Sequence, residues 1–218
     1  MEGKFSNRAE AGRELAERLS AYRGREGAIV LGLPRGGVPV AFQVAQRLGL
    51  PLDVFVVRKL GVPGYEELAM GAIASGNVSV LNQDVMRALP DSDGILEMVS
   101  AREKMELERR EILYRQDRPA PNLSGRVAIL VDDGLATGAT MRAAAAALRK
   151  RGVAKIVVAV PVGAPETCRE IEAEVDEMIC AVMPAFFHGV GQFYEDFSQT
   201  TDEEVRELLK ASSDLAIE

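Results

Sequence analysis

An α/β fold with a doubly wound parallel sheet is the architecture predicted for this chain, and three observations predict it. Five segments of mainly apolar residues read as strands: Ala28–Gly32, Leu52–Val57, Val127–Val131, Lys155–Val160 and Asp176–Met183. Most lack a polar interruption, as expected of strands covered on both faces. Segments of helical character separate them, among them the Ala-rich stretch from Met141 to Lys150. Strand and helix therefore alternate, the signature of parallel βαβ units.

Composition sets the outer bounds. The 218 residues suffice for one α/β domain with a sizeable core and a small subdomain. A net charge of −7 argues against extended nucleic-acid binding. No apolar run approaches the ~18 residues of a membrane span. The N-terminus, Met1-Glu-Gly-Lys-Phe5, has no apolar signal region, so a cytoplasmic location is expected. Cys168 and Cys180 lack metal spacing and read as reduced thiols. A single His excludes a His-rich metal site.

Asn7 to Tyr22 reads as a helix opened by a capping box of Asn7 and Glu10, with Leu15, Leu19 and Tyr22 on one face. It is given a packing role against the sheet. Ala28–Gly32 leads into a loop containing Arg35, Gly36 and Gly37, then a helix to Leu48 with Pro39 near its first turn. A Gly pair at a helix start beside an Arg is an anion-binding design. Arg58 and Lys59 are placed at the C-terminal end of the Leu52–Val57 strand, the edge where open parallel sheets bind ligands. Leu60 to Gly71 holds Gly61, Pro63 and Gly64 and is expected to be partly mobile. Ala72 to Leu81 reads as a hairpin around Gly76-Asn77. Asp91 to Gln116 is a charge-laced helix, capped by Asp91 or Asp93. It is read as solvent-exposed, with a dimer contact as the alternative. Residues 117–121 form a linker. Thr201 and Glu204 box a final helix with Val205, Leu208 and Leu209 turned inward.

The stretch from Val127 to Met141 organises the rest. Five apolar residues are followed by Asp132 and Asp133, then by Ala136-Thr137-Gly138-Ala139-Thr140 and the Ala-rich helix. Small residues let a ligand approach the backbone, and the helix N-terminus adds a partial positive charge. Thr137 and Thr140 can donate to phosphate oxygens. The carboxylates can accept from two vicinal hydroxyls. The implied ligand carries a phosphate close to a diol, as ribose 5-phosphate does. No Gly-Lys-Ser/Thr P-loop and no Gly-x-Gly-x-x-Gly fingerprint is present in this stretch.

This stretch resembles the 5-phosphoribosyl-1-pyrophosphate (PRPP) motif of type I phosphoribosyltransferases. Ala128 to Thr140 matches it except at Gly134, where that family usually has a branched apolar residue. The resemblance covers about 28–60 and 126–197. It implies a core with a small hood subdomain, contributed by about 61–120 and 184–200. It implies transfer of ribose 5-phosphate from PRPP to a nitrogenous base, releasing pyrophosphate, with Mg²⁺ held through PRPP and by Asp132 and Asp133. On this resemblance Asp132 and Asp133 position the ribose, and Ala136, Thr137, Gly138, Ala139 and Thr140 the 5-phosphate. Arg35, Gly36, Gly37, Arg58 and Lys59 hold the pyrophosphate. The 60–71 stretch lies where the family carries a catalytic loop, with Tyr65, Glu66 and Glu67 as candidates.

A late segment, Met183 to Phe197, concentrates aromatic residues and holds the only His, His188. It looks like the purine-binding segment of the hypoxanthine-guanine enzymes. Phe186 or Phe187 would stack on the base, with Val190 and Glu195 as further base-binding candidates. Those enzymes carry a carboxylate where this chain has Ala136, so the proton-handling residue must lie elsewhere, at 65–67 or Glu195. A purine acceptor is a lean only. Two alternatives stay open: a PRPP-sensing regulator without turnover, and transfer to a non-nucleobase acceptor. Homodimerisation is compatible with the sequence.

Overall fold

A computed structural model of the chain describes residues 4–116 and 118–215. Helix α1 (Arg8–Arg18) is followed by a 3₁₀ turn at Ser20–Tyr22, strand β1 (Ala28–Gly32), helix α2 (Gly37–Leu48) and strand β2 (Leu52–Val54). Next come β3 (Val57–Val62), β4 (Tyr65–Ala74), β5 (Val78–Leu81), α3 (Gln83–Ala88) and α4 (Ser92–Arg115). The chain then forms β6 (Val127–Val131), α5 (Ala139–Lys150), β7 (Lys155–Val162), α6 (Pro165–Glu172), β8 (Glu177–Val182) and α7 (Asp202–Leu215). No helix among the described residues is long and apolar enough to cross a membrane.

Five strands form a parallel sheet in the order β2-β1-β6-β7-β8. Alternation of side chains explains why the strand runs are apolar throughout. Ala28 and Val30 of β1 and Val127, Ile129 and Val131 of β6 face a core built with α1, α2 and α7. Ile29, Leu31, Ala128 and Leu130 face the opposite core, built with α5 and α6. Each such Val, Leu or Ile contributes roughly 1.5–3 kcal/mol by leaving water. The chain proceeds from β1 outward to β2, then returns to β6 on the other flank of β1. Gly32 and Val131 are paired neighbours at the carboxyl ends. The pair marks the topological switch point of the sheet, the place where such sheets bind ligands.

The run Leu52–Val57 is not one strand. β2 stops at Val54, and Val57 opens a separate antiparallel sheet of β3, β4 and β5. The apolar pair Phe55-Val56 carries the chain across. Phe55 N–H donates to Gly32 O at 3.0 Å, the last link to the parallel sheet. Val56 N–H donates to Ser75 Oγ at 2.9 Å, and Ser75 N–H to Val56 O at 2.9 Å. Arg58 and Lys59 therefore stand on β3, not at the end of a parallel strand. Residues 60–71, expected to be partly mobile, are mostly paired strand around a turn at Pro63-Gly64, where Gly64 has a φ of 81°. Their Gly-rich composition shows instead as register shifts at Leu60/Gly61 and Gly61/Val62. The Gly76-Asn77 hairpin is present, with both residues at positive φ.

Helix α4 is less solvated than its charge suggests. Val99, Glu103, Leu107, Tyr114 and Arg115 are buried along one face. Asp91 stands at its N-cap position without a side-chain capping bond. Arg115 ties its last turn to β2: Nε donates to Asp53 Oδ2 at 2.9 Å, Nη2 to Val54 O at 2.9 Å and Nη1 to Glu111 Oε1 at 2.6 Å. Burial pushes the Asp53 carboxyl up against the pull of Arg115. Arg115→Ala, which strands that carboxyl, is expected to cost about 3–5 kcal/mol. A lower urea midpoint with an unchanged slope would show it. The terminal helices start as read: Asn7 Oδ1 accepts from Glu10 N–H at 3.0 Å, and Thr201 Oγ1 from Glu204 N–H at 3.1 Å. The Glu10 carboxylate, however, reaches Ser6 rather than Asn7.

Candidate active site

The site grows from two loops at the switch point. Leu33 N–H donates to Val131 O at 2.9 Å, so the loop after β1 lies directly on the end of β6. The Pro34–Arg35 peptide is cis. The Gly pair is explained by close approach. A methyl group on Gly36 would lie 2.0 Å from Asp133 Oδ2, and one on Gly37 would lie 2.7 Å from Val131 O. Only glycine lets the 35–37 loop sit against the acidic pair.

Asp132 and Asp133 cap the end of β6. Asp132 Oδ1 accepts from Asp133 N–H at 2.9 Å. Burial pushes the Asp132 carboxyl well above its usual value, and the neighbouring Asp133 charge adds to this. Burial raises Asp133 too, opposed by Arg8. Arg8 Nε donates to Asp133 Oδ2 at 2.8 Å, and both side chains are largely buried. The same guanidinium lies 4.0 Å from the Phe197 ring centre and donates to Ser198 O at 2.7 Å. The Tyr194 hydroxyl donates to Asp133 O at 2.6 Å. Sequence reasoning missed both Arg8 and Tyr194. Arg8 lies next to a helix cap, a position that carries no signal of a distant partner.

Past the acids, Gly138 adopts a φ of 75° and opens α5. Ala136 O accepts from Thr167 Oγ1 at 2.7 Å and Thr137 O from Arg142 Nη1 at 3.0 Å. The carbonyls are thus turned away and held. Among the described residues, no carbonyl accepts from the N–H groups of Thr137, Gly138, Ala139 or Thr140. Open donors at a helix start can cradle an anion. Thr137, Ala139 and Thr140 are exposed.

A cavity of about 600 Å³ separates this cradle from the antiparallel sheet, with Thr140 on one wall and Arg58, Lys59 and Met98 among the others. Arg58 is paired there with buried Glu103, at 2.6 Å from Nη2 to Oε2, and Arg102 pairs with the other carboxylate oxygen at 3.0 Å. Arg58, Lys59 and Thr140 thus share one cavity. Arg35 instead lies 3.9 Å from Asp202 at the start of α7. Tyr65 is exposed at the hairpin turn. The Glu66 and Glu67 side chains lie outside the described residues.

The late aromatic segment is divided by the fold. Phe187 stacks on Phe193, with ring centres 5.8 Å apart and an interplanar angle of 14°. Phe186 is 81% exposed. Val190 fills the space above Gly134, where a methyl group would lie 2.4 Å from Val190 Cγ1. This contact explains the departure from the usual motif: the branched side chain comes from residue 190 instead of 134. Gly134→Val is expected to cost about 1–3 kcal/mol through overpacking. Val190→Ala in the same chain should recover most of it, as thermal melts of the double-mutant cycle would show. Glu195 is exposed, and its N–H donates to Phe5 O at 2.8 Å.

The sheet thus carries paired carboxylates at its switch point, beside a helix start with open backbone N–H groups. Residues 4–198 match the model of the phosphoribosyl transferase domain, and the chain belongs to that family. It is 47% identical over 213 residues to the Mycobacterium tuberculosis protein named "Putative phosphoribosyl transferase Rv0571c", and equally to its counterpart MT0597 from a second strain. The match takes in 97% of this chain and 48% of each relative, so the chain spans about half their length. The crystal structure of TT1426 from Thermus thermophilus superposes with a TM-score of 0.85 at 44% identity, covering 94% of this chain and 97% of that one.

Proposed function

We propose that this domain transfers the 5-phosphoribosyl group of PRPP to a nitrogen of a base, releasing pyrophosphate. One observation carries the reading: two adjacent carboxylates stand one turn from four backbone N–H groups with no carbonyl partner among the described residues. A diol and a phosphate on one ligand answer both. Asp132 and Asp133 accept from the ribose hydroxyls, while Thr137 to Thr140 hold the 5-phosphate. The 35–37 loop, Arg58 and Lys59 take the pyrophosphate, with Arg35 leaving Asp202 to reach it. As the bond from the anomeric carbon to pyrophosphate breaks, that carbon becomes cationic and the acceptor nitrogen adds to it. The protein need supply no nucleophile.

The donor set fits Mg²⁺ in a limited way. Two carboxylates are hard oxygen donors suited to it. The described residues hold no group of three or more His, Cys, Asp or Glu side chains able to cage a metal. The ion would thus be held chiefly by PRPP oxygens, with Asp132 beside it, since Asp133 is already engaged by Arg8. Bound there, Mg²⁺ would neutralise the leaving pyrophosphate.

Of the two rings considered for base stacking, Phe186 presents a free face and Phe187 is occupied by Phe193. This supports a flat heterocycle, with purine as the first class to test. Because Phe187 is packed on Phe193 and so is not free to stack, a non-nucleobase acceptor on the same PRPP site is the second reading. Calorimetry with PRPP, with and without Mg²⁺, tests the reading, and Mg²⁺-dependent binding is expected. Screening adenine, guanine, hypoxanthine, xanthine and uracil for pyrophosphate release then tests the acceptor. No PRPP binding under either condition overturns the function, and tight binding without release from any base favours a PRPP-sensing regulator or a non-nucleobase acceptor over base transfer.

A further inference from the structure

The chain has only two cysteines, and the fold brings them together behind the anion cradle. Cys168 lies on α6 and Cys180 on β8, and both sulfurs crowd the notch left by Gly163. A methyl group at Gly163 would stand 2.4 Å from Cys168 Sγ and 3.4 Å from Cys180 Sγ. Cys168 is buried and Cys180 half-buried, so Cys180 is the more open residue of the pair. Cys180 Sγ also lies 3.1 Å from Val182 O. Hydrogen bonding to Cys180 lowers the Cys168 thiol below its usual value, while the same contact, with burial, raises Cys180.

The notch is joined to the cradle by short links. Thr167, adjacent to Cys168, is the residue that holds Ala136 O. A methyl group on Gly138 would lie 2.8 Å from Thr167 Cγ2 and 3.5 Å from Ile171 Cδ1, so the first turns of α6 form the cradle's floor. Ala164 N–H donates to Leu135 O at 2.9 Å and Leu135 N–H to Val162 O at 2.9 Å.

We propose that Cys168 and Cys180 are an oxidative modification site: a small hydroperoxide closes them into an intramolecular disulfide that displaces α6 and loosens the cradle. A thiolate of the pair attacks one peroxide oxygen. The O–O bond breaks, giving a sulfenic acid and, after proton uptake, one water. The second sulfur then attacks the sulfenic sulfur, the S–O bond breaks and a second water leaves with the remaining thiol proton. Two thiols are oxidised by two electrons and one hydrogen peroxide is reduced to two waters. A sulfur–sulfur bond is only about 2 Å long. Closing it draws α6 toward β8 and shifts Thr167 from Ala136 O. The covalent step stands alone, whereas its effect on PRPP rests on the function proposed above.

The test uses the full chain, reduced and then treated with stoichiometric hydrogen peroxide. Peptide mass spectrometry without reductant should show Cys168 linked to Cys180 within one chain, with the loss of two hydrogens reversed by dithiothreitol. Cys168→Ser and Cys180→Ser should each abolish the link, and either variant alone suffices if the other fails to fold. Oxygen addition without a link, or a link between two chains, overturns the site. PRPP affinity, measured on the reduced and oxidised forms, should fall roughly tenfold on oxidation, the scale of one lost hydrogen bond to the phosphate. Equal affinities overturn the coupling. A reduced form that binds no PRPP overturns the proposed function instead, and the mass readout still decides the disulfide.

Discussion

Asp132→Asn is expected to melt at a higher temperature than the parent protein at pH 7 while losing most of its PRPP binding. Burial raises the Asp132 carboxyl above its ordinary value of 3.8, and the charge of Asp133 raises it further. The Asp133 N–H and Arg8 oppose these effects without cancelling them. For an acid raised by folding, the folded state binds more protons than the unfolded state between the two pKa values. Stability is then full below the ordinary value and is lost as pH rises through the raised one. Asn keeps an oxygen for the 2.9 Å bond from Asp133 N–H but cannot ionise. Its advantage should therefore be present at pH 7, shrink as pH falls through the raised value, and be gone below about 4, where both side chains are neutral. For a chain of this size each kcal/mol regained is worth about 2–4 °C. Charged hydrogen bonds to the ribose are worth about 1.5–3 kcal/mol each, so affinity should fall roughly 10- to 150-fold. Melting curves from pH 4 to 8, paired with PRPP calorimetry, check both halves. A variant less stable than the parent at pH 7 would show that the pair is not a strained functional feature.

That trade between stability and binding was partly legible in the sequence. The run Val127–Val131 could be read because a strand buried on both faces needs an unbroken apolar string, and two acids at its end have no packing rationale. The glycines at 36 and 37 were legible as an anion-binding loop, but their close approach to Asp133 and the end of β6 was not. Phe55-Val56 misled for a physical reason. Both residues are buried, so the apolar run continues although the backbone has left one sheet for another. Local pattern reports burial, not which sheet supplies the hydrogen bonds. In the 60–71 stretch the strand pairing was hidden, because Gly and Pro are as much at home in a hairpin turn with register shifts as in a loop. Gly134 looked like a weakened motif, since its compensating side chain, Val190, lies far along the chain. Glu103 looked like one more acid on a solvated helix, yet Arg58 arrives from β3 to bury it.

Arg8→Gln tests the largest feature that no local pattern could reveal. Arg8 and Asp133 are separated by most of the chain, yet their side chains meet at 2.8 Å with only 11% and 15% of their surfaces exposed. Removing the guanidinium leaves a carboxylate in a site where burial already raises its pKa, and breaking such a pair costs about 3–5 kcal/mol. The loss should be largest at neutral and alkaline pH and shrink in acid, because protonated Asp133 no longer needs the cation. Arg8→Gln combined with Asp133→Asn should recover much of the stability, since the uncompensated charge is gone. Arg8→Lys should recover only part, for an ammonium restores the charge but not the planar group lying 4.0 Å from the Phe197 ring centre. PRPP binding separates this from simple stability. The single variant frees Asp133 to move and releases Ser198 and Phe197 together, so ribose affinity should fall even where the protein remains fully folded. The rescued double variant should be stable and still bind poorly, because it also lacks the Asp133 carboxylate. If the single variant, under conditions where it is fully folded, binds PRPP as well as the parent, Arg8 braces the fold and has no part in presenting Asp133 to a ribose.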